Sequence, residues 1–265
     1  MQIFNTIRSI LAVGLCLIIY AALLLPHLYL KLVWHKVIRL KGTAHRQNIA
    51  LWQMRWARIF LGVFTSVMGM RLCYLLPVKQ DMPKPSIVVS NHRSMFDILI
   101  IKCFMLQMGY QDIRWILKKS LGKIPAVGRA CSESACAFII RGKHPDTLPT
   151  IIEKAELAAR DNASFVVFPE GTRFKKPKEG SKYQQLLPPK VKGLQVMMQS
   201  MPMHSILSMT IDWQGDIGGT GMSNLSALCG RTVTISAEHI DDLTSEDASS
   251  WLEEEWRRKD KILSK

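Results

Sequence analysis

The chain has 265 residues, enough for one sizeable α/β domain with an additional segment, and it carries a formal net charge of +14. This charge is unevenly distributed: residues 1–80 contain ten Lys and Arg and no acidic residue, whereas the remainder is close to neutral. A basic, acid-free leader indicates an anionic partner, either a membrane or a nucleic acid. The six cysteines form no C-x-x-C and no Cys/His pair at zinc spacing, so we expect free thiols and neither a disulfide nor a metal site.

The apolar content of the leader favours a membrane. Residues 10–30 contain no Lys, Arg, Asp or Glu, and as a helix they would extend ~31 Å, about the thickness of a bilayer core. No small-residue cleavage site follows, so a retained anchor is predicted; a buried core helix is the alternative. A shorter apolar run, residues 59–70, is expected to dip into the interface between Arg58 and Arg71.

The basic residues of the leader also predict an orientation. Six of them, from Lys31 to Arg55, lie between the two apolar runs, and one, Arg8, precedes the first. The positive-inside rule then places the bulk of the chain in the cytoplasm, whether the first run spans the bilayer or re-enters one leaflet. We expect a membrane location, the cytoplasmic membrane if the source is bacterial. No nucleic-acid partner is expected, because the basic excess lies beside apolar segments.

Beyond residue 80 the sequence alternates between short apolar strands and helices. This alternation is typical of an α/β fold in which a layered sheet is flanked by helices and functional groups lie where strands end. Helices are predicted at 95–107, 149–160 and 189–199, and strands at 87–90, 113–117, 137–140, 164–168, 206–211 and 232–236. The predicted organisation is an N-terminal membrane-anchoring segment (1–80), a central domain (81–240) and a C-terminal amphipathic helix (241–265).

A strand-to-helix turn follows the first of these strands. The strand ends at Asn91 and His92, and Ser94 is predicted to be the N-cap of the next helix. With His92 before the first helical turn and Asp97 inside it, the carboxylate can reach back to the imidazole and orient a general base. Ser94 and Asp97 also match a capping pair, in which case His92 would be an ordinary loop histidine.

A second informative stretch, Pro-Glu-Gly-Thr-Arg, follows the strand at 164–168. Gly171 permits close approach of the backbone to a ligand, Glu170 can accept hydrogen bonds from hydroxyls, and Arg173 offers a bidentate fork suited to phosphate. Residues 173–192 contain seven basic residues and one acidic residue. Such a loop suits a phosphorylated ligand, although taken alone it also fits a solvated basic loop.

The two stretches together resemble the glycerolipid acyltransferases, in particular the 1-acylglycerol-3-phosphate acyltransferases. The resemblance rests on His-x4-Asp at His92 and Asp97 (the HX4D motif) and on Phe-Pro-Glu-Gly-Thr-Arg ending at Arg173, and it covers roughly residues 81–236. It makes residues 81–240 the catalytic domain. The site residues it implies are catalytic His92 and Asp97, and substrate-binding Asn91, Arg141, Glu170, Gly171, Thr172, Arg173 and Lys192.

The sequence departs from the family pattern in two motifs. The second motif resembles residues 137–141; shortly before it, Ala135 stands where Gly is usual, and within it Ile140 stands where Asp is frequent. In the fourth motif the Pro is missing, and Ser208 lies near its place. The spacing after Gly-Thr-Arg resembles the branch of lysocardiolipin- and lysophosphatidylinositol-type acyltransferases, so a larger acceptor headgroup stays open. A catalytically inactive or divergent lipid-binding membrane protein is the other alternative.

The resemblance implies acyl transfer from a thioester donor to the free hydroxyl of a lysophospholipid, with 1-acylglycerol-3-phosphate giving phosphatidate. A thiolate leaves readily, so the base is needed by the acceptor hydroxyl and no acyl-enzyme is required. No metal or cofactor is expected besides the cosubstrate, which is acyl-CoA or an acyl-carrier protein. The other expected partners are the lysophospholipid acceptor and membrane phospholipids.

Overall fold

The computed structural model describes residues 2–75, 85–140, 142, 144–177, 179–215, 217 and 222–264. These residues form eight α-helices: α1 (Gln2–Ile19), α2 (Leu25–Val37), α3 (Gly42–Met68), α4 (Asp97–Gln107), α5 (Val127–Glu133), α6 (Thr147–Arg160), α7 (Val191–Ser200) and α8 (Ala248–Leu263). A π-helical turn, Tyr20–Leu24, joins α1 to α2 without a break in the helix. Short 3-10 helices occur at Lys119–Lys123 and Met222–Leu228.

The described strands form one seven-stranded sheet in the order β1-β7-β6-β2-β5-β3-β4. Their bounds are β1 (Arg71–Leu75), β2 (Ser86–Ser90), β3 (Ile113–Lys118), β4 (Ala137–Ile139), β5 (Ser164–Val167), β6 (Ser205–Trp213) and β7 (Thr232–Ile240). Strand β7 is antiparallel to β6, and all other neighbours are parallel. The apolar strands β2 and β5 are buried at every position, as expected of central parallel strands. Their C-terminal ends therefore lie side by side.

Helices cover both faces of the sheet. Alternate side chains of a strand point to opposite faces, so Val88 of β2 packs in the cluster that contains α3 and α4. Ile87 and Val89 pack in the cluster that contains α6, α7 and α8. The predicted α/β class with a layered, helix-flanked sheet is confirmed.

Residues Gln2–Val37 form a 36-residue helix that is long and apolar enough to cross a membrane. Its inner face packs on α3 along most of its length: Arg8 Nε donates to the Val67 carbonyl (2.7 Å), and the His35 and His45 rings are in contact (Nδ1 to Nδ1, 2.8 Å). Its outer face exposes large apolar side chains, namely Ile3, Phe4, Ile7, Ile10, Leu11, Leu15, Leu17, Ile18, Leu23, Leu30, Val33, Trp34 and Val37. An exposed apolar face of this size supports a membrane anchor.

The second apolar run is part of a longer, packed helix. Residues 59–68 are the last turns of α3, in which Leu61, Phe64 and Met68 are buried against the core. Their spacing of three and four residues is that of an amphipathic helix packed on a domain. The dip of this run into the membrane interface stays a prediction. The sheet also extends into the segment assigned to the anchor, since β1 pairs with β7.

Candidate active site

The turn after β2 brings His92 and Asp97 together. His92 Nδ1 lies 2.8 Å from Asp97 Oδ2, and the same oxygen accepts the backbone N–H groups of Arg93 (2.7 Å) and Ser94 (2.8 Å). Asp97 Oδ1 accepts the indole N–H of Trp213 at 2.8 Å, and the carboxylate is fully buried. Since an ionised carboxylate only accepts hydrogen bonds, Nδ1 of His92 carries the proton, and Nε2 of the neutral ring keeps its lone pair.

The start of α4 differs from the prediction. The helix begins at Asp97, its N-cap position is Phe96 without a side-chain cap, and Ser94 Oγ accepts the N–H of Phe96 at 3.3 Å. Ser94 is therefore not the N-cap. The Asp97 carboxylate satisfies the backbone of the turn and contacts the imidazole at the same time, so the two interpretations of Asp97 from the sequence coexist in one side chain.

An aromatic side chain fixes the plane of the imidazole. The ring of Phe168, directly after β5, is stacked on His92 with centroids 4.2 Å apart and planes 16° apart. Phe168 in turn lies 6.1 Å from Trp115 of β3, centroid to centroid. Phe168 lies in a motif that is visible in the sequence, but no function follows for it there, because its position against His92 depends on β5 lying next to β2.

Asn91 connects the turn to the neighbouring strand. Its Nδ2 donates to the Ile211 carbonyl (2.9 Å), and its Oδ1 accepts the Ile211 N–H (2.8 Å). Asn91 is fully buried. Both polar atoms of the side chain thus hold β6. The substrate contact of Asn91 stays a prediction.

The Pro-Glu-Gly-Thr-Arg turn closes onto His92. Glu170 Oε1 accepts the backbone N–H of His92 (2.7 Å), and Oε2 accepts that of Leu187 (2.9 Å). Burial raises the pKa of Glu170 to about 8, and the two N–H groups oppose this shift. Both oxygens of the buried Glu170 side chain thus hold backbone groups, one of the catalytic turn and one at Leu187. The contact of Glu170 with a substrate hydroxyl stays a prediction.

The remaining predicted residues of this turn lie at the surface. Gly171 has a φ of +68°, and a Cβ there would lie 3.2 Å from Lys190 Nζ. Thr172 is exposed and Arg173 is half-buried, and the next residue, Phe174, donates its N–H to the His92 carbonyl (2.7 Å). Lys192, in the first turn of α7, is exposed. Arg141 lies outside the described residues.

Comparisons with known proteins identify the family. A family model described as Acyltransferase matches residues 77–212, more than half of the chain. The chain belongs to the acyltransferase family. This confirms the resemblance drawn from the two motifs.

Similar proteins carry more specific names. The acyltransferase is 32% identical over 89 residues to the 1-acyl-sn-glycerol-3-phosphate acyltransferase of Helicobacter pylori (34% of this chain, 35% of the relative). It is 30% identical over 129 residues to the Saccharomyces cerevisiae protein of the same name (48% and 40%) and 21% identical over 201 residues to lysocardiolipin acyltransferase 1 of Danio rerio (68% and 52%). It thus spans about a third to a half of the length of these relatives.

A solved structure shares the fold. The crystal structure of the 1-acyl-sn-glycerophosphate (LPA) acyltransferase PlsC of Thermotoga maritima superimposes with a TM-score of 0.64 at 19% identity. The match covers 100% of this chain and 98% of that chain, so it includes the N-terminal helices as well as the sheet.

The edge of the sheet that holds His92 is strongly basic in this acyltransferase. Neighbouring strands β3 and β5 both end here. Exposed lysines occur from the end of β3 through the following 3-10 helix and from the end of β5 to the first turn of α7: Lys118, Lys119, Lys123, Lys175, Lys176, Lys190 and Lys192. Positive charge of this density attracts anionic ligands. Within the described part of the chain, no group of three His, Cys, Asp or Glu is arranged to hold a metal ion.

An apolar cavity lies beneath this edge. It has a volume of about 180 Å³, is open to one side and is lined by residues of α3, α4, α5 and β3. Trp115, which contacts Phe168, forms part of its wall together with Phe60, Leu99 and Leu117. The ring of Phe168 therefore lies between the imidazole of His92 and the cavity wall at Trp115.

Proposed function

We propose that this acyltransferase moves a fatty acyl group from a thioester donor to the free hydroxyl of a lysophospholipid, with 1-acylglycerol-3-phosphate as the first candidate acceptor. The observation that carries the proposal is the dyad: Asp97 holds Nδ1 of His92, Phe168 fixes the ring plane, and Nε2 is left as a base. The names of the Helicobacter pylori and Saccharomyces cerevisiae relatives support this acceptor.

The chemistry needs one base and no covalent intermediate. The acceptor hydroxyl donates its proton to Nε2 of His92 while its oxygen attacks the thioester carbonyl, and Asp97 stabilises the imidazolium that forms. The tetrahedral intermediate then expels the thiolate, which takes the proton back from Nε2. General-base catalysis of this kind contributes about 10²–10⁴-fold to the rate.

The surroundings of the dyad suit the two substrates. Arg173 and Lys192, with Arg141, are proposed to bind the phosphate of the acceptor, while the surface backbone at Gly171 and Thr172 allows it to approach closely. The exposed lysines after β3 suit the phosphates of acyl-CoA or the acidic surface of an acyl-carrier protein. The apolar cavity beside Trp115 suits the acyl chain.

We propose further that the anchor lies along one leaflet, with the catalytic domain on the cytoplasmic side. A fully spanning Gln2–Val37 would carry α3, which packs against it from Arg8 to His35, into the bilayer together with Arg46, Arg55 and Arg58. A single cysteine introduced near residue 2 should therefore be labelled from the cytoplasmic side. Labelling from the opposite side alone would show that the helix spans.

The deciding experiment is acyl transfer from labelled acyl-CoA to lysophosphatidate in membranes, comparing the wild type, His92→Ala and His239→Ala. His239 lies on β7, away from the dyad, and serves as the matched control. Near-complete loss in His92→Ala alone, with the protein still membrane-bound, is expected. Equal transfer by wild type and His92→Ala would overturn the mechanism, and a wild type that transfers to no lysophospholipid would favour the lipid-binding alternative.

The acceptor is tested in the same assay. Arg173→Ala should raise the KM for a phosphorylated acceptor with a smaller effect on kcat, because the guanidinium binds the phosphate in ground and transition state alike. Arg160→Ala, an exposed arginine at the end of α6 and at the opposite edge of the sheet, is the control. Lysocardiolipin should be included as a second acceptor because of the Danio rerio relative. An unchanged KM in Arg173→Ala would show that this arginine does not contact the phosphate.

A further inference from the structure

The C-terminal helix α8 places a charged side chain beneath the catalytic turn. Lys259 is fully buried, and its Nζ donates to the carbonyl oxygens of Val89 (3.1 Å) and Met209 (2.8 Å). Val89 is three residues before His92, and Met209 is two residues before Ile211, which binds Asn91. Lys259 thus links β2 and β6 immediately before the turn that carries the dyad.

A buried ammonium at this position is costly. Burial lowers the pKa of Lys259 to about 8. The nearby carboxylate of Glu255 (Nζ to Oε1, 3.7 Å) opposes this shift. Glu255 is itself buried and is paired with Arg258 (Nε to Oε2, 2.6 Å). A hydrophobic side chain of similar volume would fill the space without this desolvation penalty, so stability alone does not account for a charged pair here.

A second contact of α8 reaches Glu170. The indole Nε1 of Trp256 donates to the Leu187 carbonyl (3.0 Å), and the N–H of Leu187 donates to Glu170 Oε2. The other oxygen of Glu170 holds the N–H of His92. Leu187 therefore connects helix α8 to Glu170, and Glu170 in turn binds the backbone of the proposed base, His92.

A third contact lies where this sequence departs from the fourth motif of the family. Ser208, near the place of the expected Pro, donates its hydroxyl to Glu255 Oε1. The neighbouring residue on β6 is Met209, whose carbonyl accepts from Lys259. The departure in β6 and the charged pair of α8 are thus in direct contact.

We propose that α8 is a positioning element of the active site, in which Lys259, supported by Glu255 and Trp256, fixes the ends of β2 and β6 and the Glu170 carboxylate and thereby orients His92. The proposal rests on the function proposed above. Lys259 touches no substrate in this arrangement; it acts through the backbone and through Glu170.

The charges around Glu170 give a specific pH effect. Asp97 of α4 faces Glu170 and raises its pKa, whereas Lys259 of α8 lowers it; Glu255 and Arg258 face Lys259 in turn. Without Lys259, Glu170 takes up its proton at a higher pH. A protonated carboxyl group binds the two backbone N–H groups more weakly, so activity should be lost at a higher pH on the acid side.

The test compares Lys259→Met with Lys261→Met, a matched change at an exposed position of the same helix. In Lys259→Met, kcat should fall about tenfold or more while the KM for the acceptor changes less than about threefold. The acid limb of the kcat–pH profile should move to higher pH, and Lys261→Met should behave as the wild type. Equal kcat values and equal profiles in the two variants would overturn the proposal.

Two further measurements keep the test decisive. If Lys259→Met does not fold, Trp256→Phe, which removes the indole donor to Leu187 and retains a ring, should show a comparable loss of kcat at little changed KM. Because this variant keeps the charge of Lys259, its acid limb should stay that of the wild type. A wild-type kcat in Trp256→Phe would overturn the proposal. The chemical shift of the His92 Cε1–H should differ from wild type in Lys259→Met and not in Lys261→Met. This shift requires no turnover, so it decides the positioning of His92 even if the wild type transfers no acyl group.

Discussion

Replacement of Asp97 by Asn tests how the dyad functions, because the carboxylate accepts four N–H groups and an amide cannot. Three of the four donate to Oδ2, and the Trp213 indole donates to Oδ1 at 2.8 Å. If the amide oxygen takes the position of Oδ2, the amide NH₂ faces the indole N–H, donor against donor. The hydrogen bond from the Trp213 indole to a charged oxygen is then lost, and two buried donors are left unpaired. The variant should therefore lose about 3 kcal/mol of unfolding free energy.

The catalytic loss in Asp97→Asn should be separable from the loss of stability. Without the negative charge the imidazolium is no longer stabilised, so kcat should fall by about 10²–10⁴-fold with little change in KM. Trp213→Phe removes the donor that opposes the amide. The unfolding free energy lost through Trp213→Phe should therefore be about 1–3 kcal/mol smaller in the Asp97→Asn background than in the wild type. The double variant should therefore lose less unfolding free energy than the sum of the two single variants, and it should remain inactive. Acyl transfer and thermal unfolding in detergent are the assays, and an Asp97→Asn enzyme within about threefold of wild-type kcat would refute the dyad.

Two other side chains give independent predictions. Phe168→Leu should lower kcat about tenfold at nearly unchanged stability, because the imidazole of His92 loses the ring that fixes its plane; unchanged kcat at saturating substrates would contradict this. Burial alone would raise the pKa of Asp161, but hydrogen bonds from Arg46, Thr43 and Arg114 more than offset it and hold the pKa well below its usual range. Stability from a lowered carboxyl pKa is present above the usual value and lost as the pH falls through the lowered one. Asp161→Asn should therefore reduce the unfolding free energy at pH 7 by about 3–5 kcal/mol, with the difference from wild type shrinking at acid pH; equal unfolding midpoints at pH 7 would be the contrary result.

Local pattern was sufficient to predict the strands of the sheet centre and the proximity of His92 and Asp97. Strands β2 and β5 are short, largely apolar runs, a pattern typical of strands that are covered by helices on both faces of the sheet. His92 and Asp97 are five residues apart, so one turn decides whether they meet. The exposed outer face of Gln2–Val37 likewise follows from composition alone.

Contacts between distant parts of the chain could not be predicted in this way. Trp213 is 116 residues from Asp97, and Lys259 is 170 residues from Val89. Both pairs depend on β6 lying beside β2, and sequence pattern gives no strand order. For the same reason the sequence pattern does not show that Asn91 and Glu170 bind backbone groups of Ile211, His92 and Leu187.

The same long-range packing connects the proposed anchor to the dyad. The inner face of α1 contacts α3 through Arg8, and Phe64 near the end of α3 packs edge to face on Phe96, with centroids 4.5 Å apart and planes at 86°. Phe96 immediately precedes Asp97. Two packed contacts therefore separate the apolar outer face of α1 from the carboxylate that orients His92. In the proposed membrane setting this holds the base at a fixed height above the lipid surface, so a lysophospholipid can present its hydroxyl to Nε2 while its acyl chain stays in the apolar phase.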